Sequence, residues 1–89
     1  MSKIKVLVVD DSPTMRQLVA SVLDADPDIE VVGSAKSALQ ARELVKLLNP
    51  DVMTLDVEMP EMDGMAMLEQ AKSDMSLRDI PVIICELAV

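Results

Sequence analysis

A chain of 89 residues has room for one small domain, so we expect residues 1–89 to fold as a single unit. The net charge of -8, from 16 acidic and 8 basic side chains, opposes direct contact with nucleic acid or an anionic membrane, since like charges repel. One cysteine excludes an internal disulfide, and the apolar run at residues 6–9 is too short for a signal or membrane-spanning segment, so we expect a cytoplasmic protein.

The chain begins with a predicted strand and a predicted helix. Residues 4–9, "IKVLVV", are almost continuously apolar and rich in β-branched side chains, which is typical of a strand covered on both faces. Ser12 is a candidate helix N-cap, and Pro13 suits the first helical position. Apolar side chains then recur at spacings of three and four residues, which predicts an amphipathic helix with one buried face: Met15, Leu18, Val19, Val22 and Leu23.

A second strand and a second helix follow. Residues 29–35, "IEVVGSA", predict a short strand. Ser37 and Gln40 have the spacing of a capping box, and the apolar residues after them share one helical face, so we expect a helix over residues 37–48. The dipeptide "NP" that comes next predicts the end of this helix.

The second half of the chain predicts two more strands. Residues 51–56, "DVMTLD", predict a third strand, and residues 82–85, "VIIC", predict a fourth. Between them lie an acid-rich loop with a proline and a helix-compatible stretch, "GMAMLEQAKSDM". Strands that alternate with helices over short connections favour right-handed parallel crossovers, and therefore a doubly wound α/β sheet.

Acidic residues stand where two of these strands end. Asp10 and Asp11 follow the first strand, and Asp56 ends the third. In doubly wound sheets the ligand crevice lies beyond the carboxyl ends of the strands, so these acids converge if the two strands are neighbours. Adjacent acids at a strand end also occur as a helix N-cap with a solvated neighbour, and that interpretation of Asp10 and Asp11 stays open.

Converging carboxylates repel one another, by roughly 4 kcal/mol per pair at about 4 Å when the effective dielectric constant is about 20. A divalent cation offsets this repulsion, and oxygen ligands on a rigid framework favour Mg²⁺. A carboxylate beside such a cation can act as a nucleophile toward a phosphoryl group. The acids therefore indicate aspartyl phosphorylation.

Two motifs carry a resemblance to a known family. "VLVVDDSPTMRQLV" followed by "PDVMTLDVEMPEMDG" resembles the receiver domain of response regulators in bacterial two-component signal transduction, a phosphorelay. The wording "TLDVEMPEMDG" is most similar to the receiver of the chemotaxis methylesterase. The resemblance implies a flavodoxin-like parallel sheet with strand order 2-1-3-4, and a histidine kinase or small phosphodonor as the partner.

The resemblance also implies a role for each acid. Asp56 is the phosphoacceptor, and Asp11 and Asp56 bind Mg²⁺ through their side chains. Glu58 offers its main-chain carbonyl to the metal, and Asp10 acts through water. As a phosphoacceptor module without an esterase domain, the chain is not expected to be an enzyme.

The sequence departs from the family pattern after the fourth strand. In the family a Ser or Thr there helps to hold the phosphoryl group, and Glu86 stands at that place. The family also has a fifth strand that ends in a lysine, whereas this sequence stops at Val89. We therefore expect an incomplete receiver, truncated before the fifth strand, with impaired output.

An alternative function is a structural or interaction fragment without phosphotransfer. A sheet edge left exposed by a missing fifth strand favours homo-oligomers or segment exchange. Two other classes fit the residues poorly. The stretch "DDSPT" lacks the glycines of a nucleotide-binding turn, and "DVEMPEMDG" lacks the ligand spacing of an EF-hand calcium loop.

Overall fold

A computed structural model describes residues 3–56, 72–73, 75 and 78–85, with only the main chain of Ala38, Asp56, Ile84 and Cys85. The described strands and helices, in chain order, are β1 (Ile4–Val9), α1 (Pro13–Asp24), β2 (Ile29–Ala35), α2 (Ala38–Leu48), β3 (Val52–Asp56) and β4 (Val82–Cys85). Neither described helix is long and apolar enough to cross a membrane. The predicted third helix, "GMAMLEQAKSDM", lies for the most part outside the described residues.

The four strands form one parallel sheet in the order β2-β1-β3-β4, which confirms the predicted topology. In register, Val9 lies opposite both Ala35 of β2 and Leu55 of β3, and Asp56 lies opposite Cys85 of β4. Because the strands run in the same direction, their last residues lie along one border of the sheet, which we call the carboxyl edge. The opposite border is the amino edge.

The two helices cover opposite faces of the sheet. From β1 the chain moves one way to β2, and from β2 it moves back past β1 to β3. Right-handed crossovers in opposite directions place α1 on one face and α2 on the other. The main core lies on the α2 face and consists of Leu7, Val9, Ala35, Ala41, Val45, Met53 and Leu55. Burying each valine, leucine or methionine side chain of this core contributes about 1.5–3 kcal/mol.

The α1 face is less completely covered. Val6 and Val8 are buried there, but no residue of α1 itself is fully buried. The prediction that Leu18 and Val22 lie in the buried face of α1 is wrong, since they are 51% and 65% exposed. A half-buried stripe runs instead along Met15, Val19 and Leu23 at a spacing of four residues. Leu18 and Val22 precede two of these by one position, which is about 100° around the helix.

Both predicted helix starts are confirmed. The Ser12 hydroxyl accepts a hydrogen bond from the Met15 N–H (3.3 Å), and the Ser37 hydroxyl accepts one from the Gln40 N–H (3.1 Å). The second bond of the capping box at Ser37 differs from the expectation. In a capping box the glutamine side chain accepts from the N–H of the N-cap residue, but here the Gln40 Oε1 accepts from the N–H of Lys36 (2.8 Å). The side chain therefore ties down the residue before the cap.

The predicted end of the second helix is also confirmed. Asn49 adopts a left-handed conformation (φ 50°), and its N–H donates to the carbonyl of Val45 at 3.0 Å. Asparagine tolerates this region better than most residues with a side chain, which explains its place at the helix end.

β2 contains a bulge next to the position where the end of α2 approaches the sheet. Val6 pairs with Val31 but Leu7 pairs with Gly33, so Val32 is an extra residue on β2. A Cβ atom at Gly33 would lie 2.9 Å from the Leu48 Cδ1 atom, which is closer than such atoms approach. A side chain at Gly33 would therefore require the end of the Leu48 side chain to move.

We predict that Ser37→Ala lowers the free energy of unfolding by about 1 kcal/mol, because the Gln40 N–H loses its side-chain acceptor. The measurement is urea unfolding followed by circular dichroism. Ser21→Ala is the matched control, since Ser21 is exposed within α1 and alanine favours a helix interior. Equal losses in the two variants would contradict the capping role.

Candidate functional site

Asp10 is a buried carboxylate at the end of β1. It follows four buried residues of that strand, and it is only 1% exposed. Its N–H donates to the carbonyl of Ala35 at 2.9 Å, so the ladder between β1 and β2 extends to this residue. Burial of a carboxylate without compensating hydrogen bonds is costly, so the groups around Asp10 decide whether the fold can hold it.

Two further hydrogen bonds hold Asp10 from the α1 side. The Asp10 Oδ1 accepts from the Ser12 N–H at 2.8 Å, which closes a tight turn between β1 and the helix. The Arg16 Nη1 donates to the main-chain carbonyl of Asp10, also at 2.8 Å. The Asp10 Oδ2 is buried as well. Asp10 is therefore both an acid at the carboxyl edge and the residue that attaches the start of α1 to the sheet.

The contact of Arg16 with Asp10 was missed by the sequence reasoning. A signal was present, because Arg16 is the only basic residue within the first predicted helix and lies close after the paired acids. The periodicity of apolar residues carries no information about this bond, which spans 6 positions across a strand-to-helix corner.

The structure brings the main chains of three of the predicted acids, Asp10, Asp11 and Asp56, to one edge. Val9 of β1 pairs with Leu55 of β3, and the next residues along the two strands are Asp10 and Asp56. Asp11 follows Asp10 directly and is exposed. The side chain of Asp56 is not described, and Glu58 lies outside the described residues.

Other described acids have different surroundings. The Asp51 Oδ2 accepts from the Lys5 N–H at 2.8 Å, and the Asp26 Oδ1 accepts from the Asp28 N–H at 2.8 Å. Asp51 precedes β3 and Asp28 precedes β2, so these bonds lie at the amino edge. The carboxylates of Asp26 and Asp51 therefore accept hydrogen bonds from main-chain N–H groups in a turn and near the start of a strand. Glu86, on which the expectation of altered phosphoryl binding depends, lies outside the described residues.

The donor chemistry at the carboxyl edge fits a hard divalent cation. Asp10 and Asp11 supply carboxylate oxygens, which are the ligands that Mg²⁺ prefers, and the hydrogen bond from the Asp10 N–H to the Ala35 carbonyl ties the main chain of Asp10 to the sheet. Among residues 3–56, 72–73, 75 and 78–85, no group of three or more Asp, Glu, His or Cys side chains is placed to hold a metal ion. A complete ligand set would therefore need donors from Asp56 and from the segment after β3.

Comparison with known proteins decides the family. The family model for the response regulator receiver domain matches residues 6–87. The chain is a receiver domain of two-component systems. This agrees with the parallel sheet, the strand order and the acids at the ends of β1 and β3.

Several curated relatives of this receiver carry the name protein-glutamate methylesterase/protein-glutamine glutaminase. One from Agrobacterium fabrum is 60% identical over 80 residues, which cover 90% of this chain and 22% of the relative. One from Caulobacter vibrioides is 56% identical over 84 residues, which cover 94% of this chain and 24% of the relative. The receiver thus spans about a quarter or less of the length of these proteins.

Solved receiver structures have the same fold. The response regulator domain of CheB from Thermotoga maritima aligns with a TM-score of 0.73 and 40% identity, covering 94% of this chain and 60% of that one. The structure of the P1 domain of CheA3 in complex with CheY6 from R. sphaeroides aligns with a TM-score of 0.67 and 36% identity, covering 97% of this chain and 64% of that one.

We predict that Asp10→Ala is less stable than Asp10→Asn by about 1–3 kcal/mol in metal-free buffer. Both changes remove the same charge, but only asparagine keeps an oxygen that can accept from the Ser12 N–H. Urea unfolding with a chelator present measures the difference. The matched pair Asp11→Ala and Asp11→Asn should be equally stable, because Asp11 is exposed. An equal effect of alanine and asparagine at Asp10 would show that its turn bond adds nothing.

Proposed function

We propose that this receiver accepts a phosphoryl group on Asp56 in a Mg²⁺-dependent reaction. The observation that carries the proposal is the parallel pairing of β1 with β3, in which Val9 lies opposite Leu55. With that register, Asp10, Asp11 and Asp56 follow at the same edge of the sheet. Membership of the receiver family supports the same role for the residue that ends β3.

In this proposal Asp11 and Asp56 hold the metal through their side chains, Glu58 contributes its main-chain carbonyl, and Asp10 contributes through water. Bound Mg²⁺ neutralises negative charge on the carboxylates and on the incoming phosphate oxygens. The residues of the chain position the acids around the metal. Asp10 is held within the carboxyl edge by the hydrogen bonds from Ser12 and Arg16, so the acid nearest the end of β1 has a fixed position.

The proposed transfer forms one bond and breaks one. An Asp56 carboxylate oxygen attacks phosphorus and forms a P–O bond, which gives an acyl phosphate. The bond between phosphorus and the donor breaks at the same time. That bond is P–N in a phosphohistidine that is protonated on its other ring nitrogen, so that a neutral imidazole leaves with the bonding electron pair, or P–O in acetyl phosphate, whose acetate leaves. No oxidant or reductant takes part.

The proposed phosphodonor is a histidine kinase or a small acyl phosphate. Among the aligned structures is that of the P1 domain of CheA3 in complex with CheY6 from R. sphaeroides. The relatives' names describe enzymes, but they extend well beyond the matched part. We propose that these 89 residues act as the phosphoacceptor and do not themselves catalyse ester or amide hydrolysis.

The test is mass spectrometry of the intact chain after incubation with acetyl phosphate and Mg²⁺. We expect the mass to increase by one phosphoryl group, and we expect the label to be lost when a chelator replaces the metal. Asp56→Asn should abolish labelling, because an amide is a poor nucleophile. The control Asp28→Asn removes an exposed acid at the amino edge and should leave labelling unchanged. Equal labelling of Asp56→Asn and wild type would refute the proposal.

A specific observation also favours self-association as a second function. Val8, Thr54 and Ile83 lie opposite one another across β1, β3 and β4 on the α1 face. Val8 and Thr54 are buried, but Ile83 is 55% exposed. An apolar side chain at this end of the strand order offers a surface on which another copy can pack.

We predict that the dimer fraction of Ile83→Lys is lower than that of the wild type, whereas the dimer fraction of Leu39→Lys is unchanged. Both residues are exposed aliphatic side chains and both changes add one positive charge, but Leu39 lies on α2, on the opposite face. Sedimentation across a range of protein concentrations gives the populations, and the melting temperature of an associating chain should rise with its concentration. A wild type that stays monomeric at every concentration would remove this second function.

A further inference from the structure

We propose that Arg16 is a positioning residue for the acidic turn at the carboxyl edge. Its guanidinium fixes the peptide unit that joins Asp10 to Asp11, and it thereby sets the affinity of this edge for a divalent cation. The inference rests on the proposed function, and it adds a residue outside the proposed ligand set.

The contact that carries this proposal crosses the corner between β1 and α1. The Arg16 Nη1 lies 2.8 Å from the carbonyl oxygen of Asp10, and the side chain is half-buried. The main-chain N–H of Arg16 is already used, since it donates to the carbonyl of Ser12 at 2.9 Å within the helix start. The side-chain bond is therefore an additional connection between the helix and the end of β1.

The hydrogen bonds of Asp10 fix the direction in which the chain reaches Asp11. The N–H of Asp10 is held by Ala35, its Oδ1 by the Ser12 N–H, and its carbonyl by Arg16. The carbonyl of Asp10 and the N–H of Asp11 belong to one planar peptide unit, so a fixed carbonyl fixes that whole plane. Asp11 is exposed, and the orientation of this plane determines where its side chain begins.

Arginine suits this position for a chemical reason. Its guanidinium is planar and always charged, and its rigid fork loses little freedom when it bonds a carbonyl. The partner in this bond is a neutral main-chain oxygen, so the bond does not cancel the positive charge. That charge lies beside the paired acids, where by Coulomb's law it disfavours a second cation.

Positioning and charge therefore predict different Mg²⁺ affinities when Arg16 is replaced. Arg16→Gln removes the charge and the bond, so a charge effect alone would tighten Mg²⁺ binding. Arg16→Lys keeps the charge but loses the planar fork, so a charge effect alone would leave binding unchanged. If Arg16 acts by positioning, both variants bind Mg²⁺ about tenfold more weakly, as is typical when a residue that orients a metal ligand is lost.

Isothermal titration of the full 89-residue chain with Mg²⁺ gives the Kd of each variant. Arg42→Gln is the matched control, because it removes the same charge from an exposed position on α2 and should leave the Kd unchanged. Thermal unfolding without metal is measured in parallel. A lower Tm with an unchanged Kd in both Arg16 variants would mean a purely structural role and would overturn the proposal.

The remaining outcomes are also decisive. Tighter binding by Arg16→Gln together with an unchanged Arg16→Lys would assign the effect to charge and overturn positioning. A wild type that binds no Mg²⁺ would overturn the proposed function together with this inference, whereas wild-type binding with unaltered variants would overturn this inference alone.

A measurement on the wild type keeps the proposal testable if the variants fail to fold. Nuclear magnetic resonance of the metal-free chain at low temperature should show an Arg16 guanidinium N–H that exchanges slowly with water, because it is half-buried and bonded to the carbonyl of Asp10. Rapid exchange at Arg16, equal to that of the exposed Arg78, would overturn the proposal without any variant.

Discussion

The parallel pairing of β1 with β3 determines where the acids of this receiver lie. Because Val9 is opposite Leu55 and both strands run the same way, the residues that follow, Asp10 and Asp56, leave the sheet at one edge. A slip of one residue in this register would reverse the face of every side chain along the strand. The buried aliphatic residues of both strands oppose such a slip, so the packing of the core specifies the geometry of the edge.

Acids gathered at one edge repel one another, and the local structure compensates for part of this. Asp10 is almost completely buried, yet it receives the Ser12 N–H on its carboxylate and the Arg16 guanidinium on its carbonyl. The same bonds begin α1, so the acid edge and the first helix form one connected unit. A cation that changes the surroundings of Asp10 therefore acts on a residue that also holds the helix.

Local patterns in the sequence predicted most of the fold. Short-range chemistry predicts the strands at residues 4–9 and 82–85, the caps at Ser12 and Ser37 and the end of the second helix at the dipeptide "NP", and the structure confirms them. The left-handed conformation of Asn49 is an addition from the structure. The strand order came from family resemblance and is confirmed as well. Sequence patterns failed to predict which side chains are buried where this depends on tertiary packing. The spacing of apolar residues in α1 does not tell which stripe faces the sheet, and Leu18 was assigned to the wrong one.

Local patterns also locate some residues of the candidate site but not the contacts between them. Strand ends locate the acids, so Asp10 and Asp56 were placed at neighbouring strand ends correctly. The bond between Arg16 and Asp10 connects the end of β1 to α1, and the periodicity of apolar residues does not predict it. The ligand roles of Asp10, Asp11, Asp56 and Glu58 stay predictions, since they depend on side chains that meet only when the loop after β3 is in place.

The most direct test of the central claim is paramagnetic broadening by Mn²⁺ in place of Mg²⁺. At low Mn²⁺ the account predicts that the amide signals of Asp10, Asp11 and Asp56 disappear together, before those of the acidic turn at the amino edge that contains Asp26 and Asp28. Broadening that begins in this turn, or that affects Asp10 and Asp11 without Asp56, would contradict a shared cation site at the carboxyl edge.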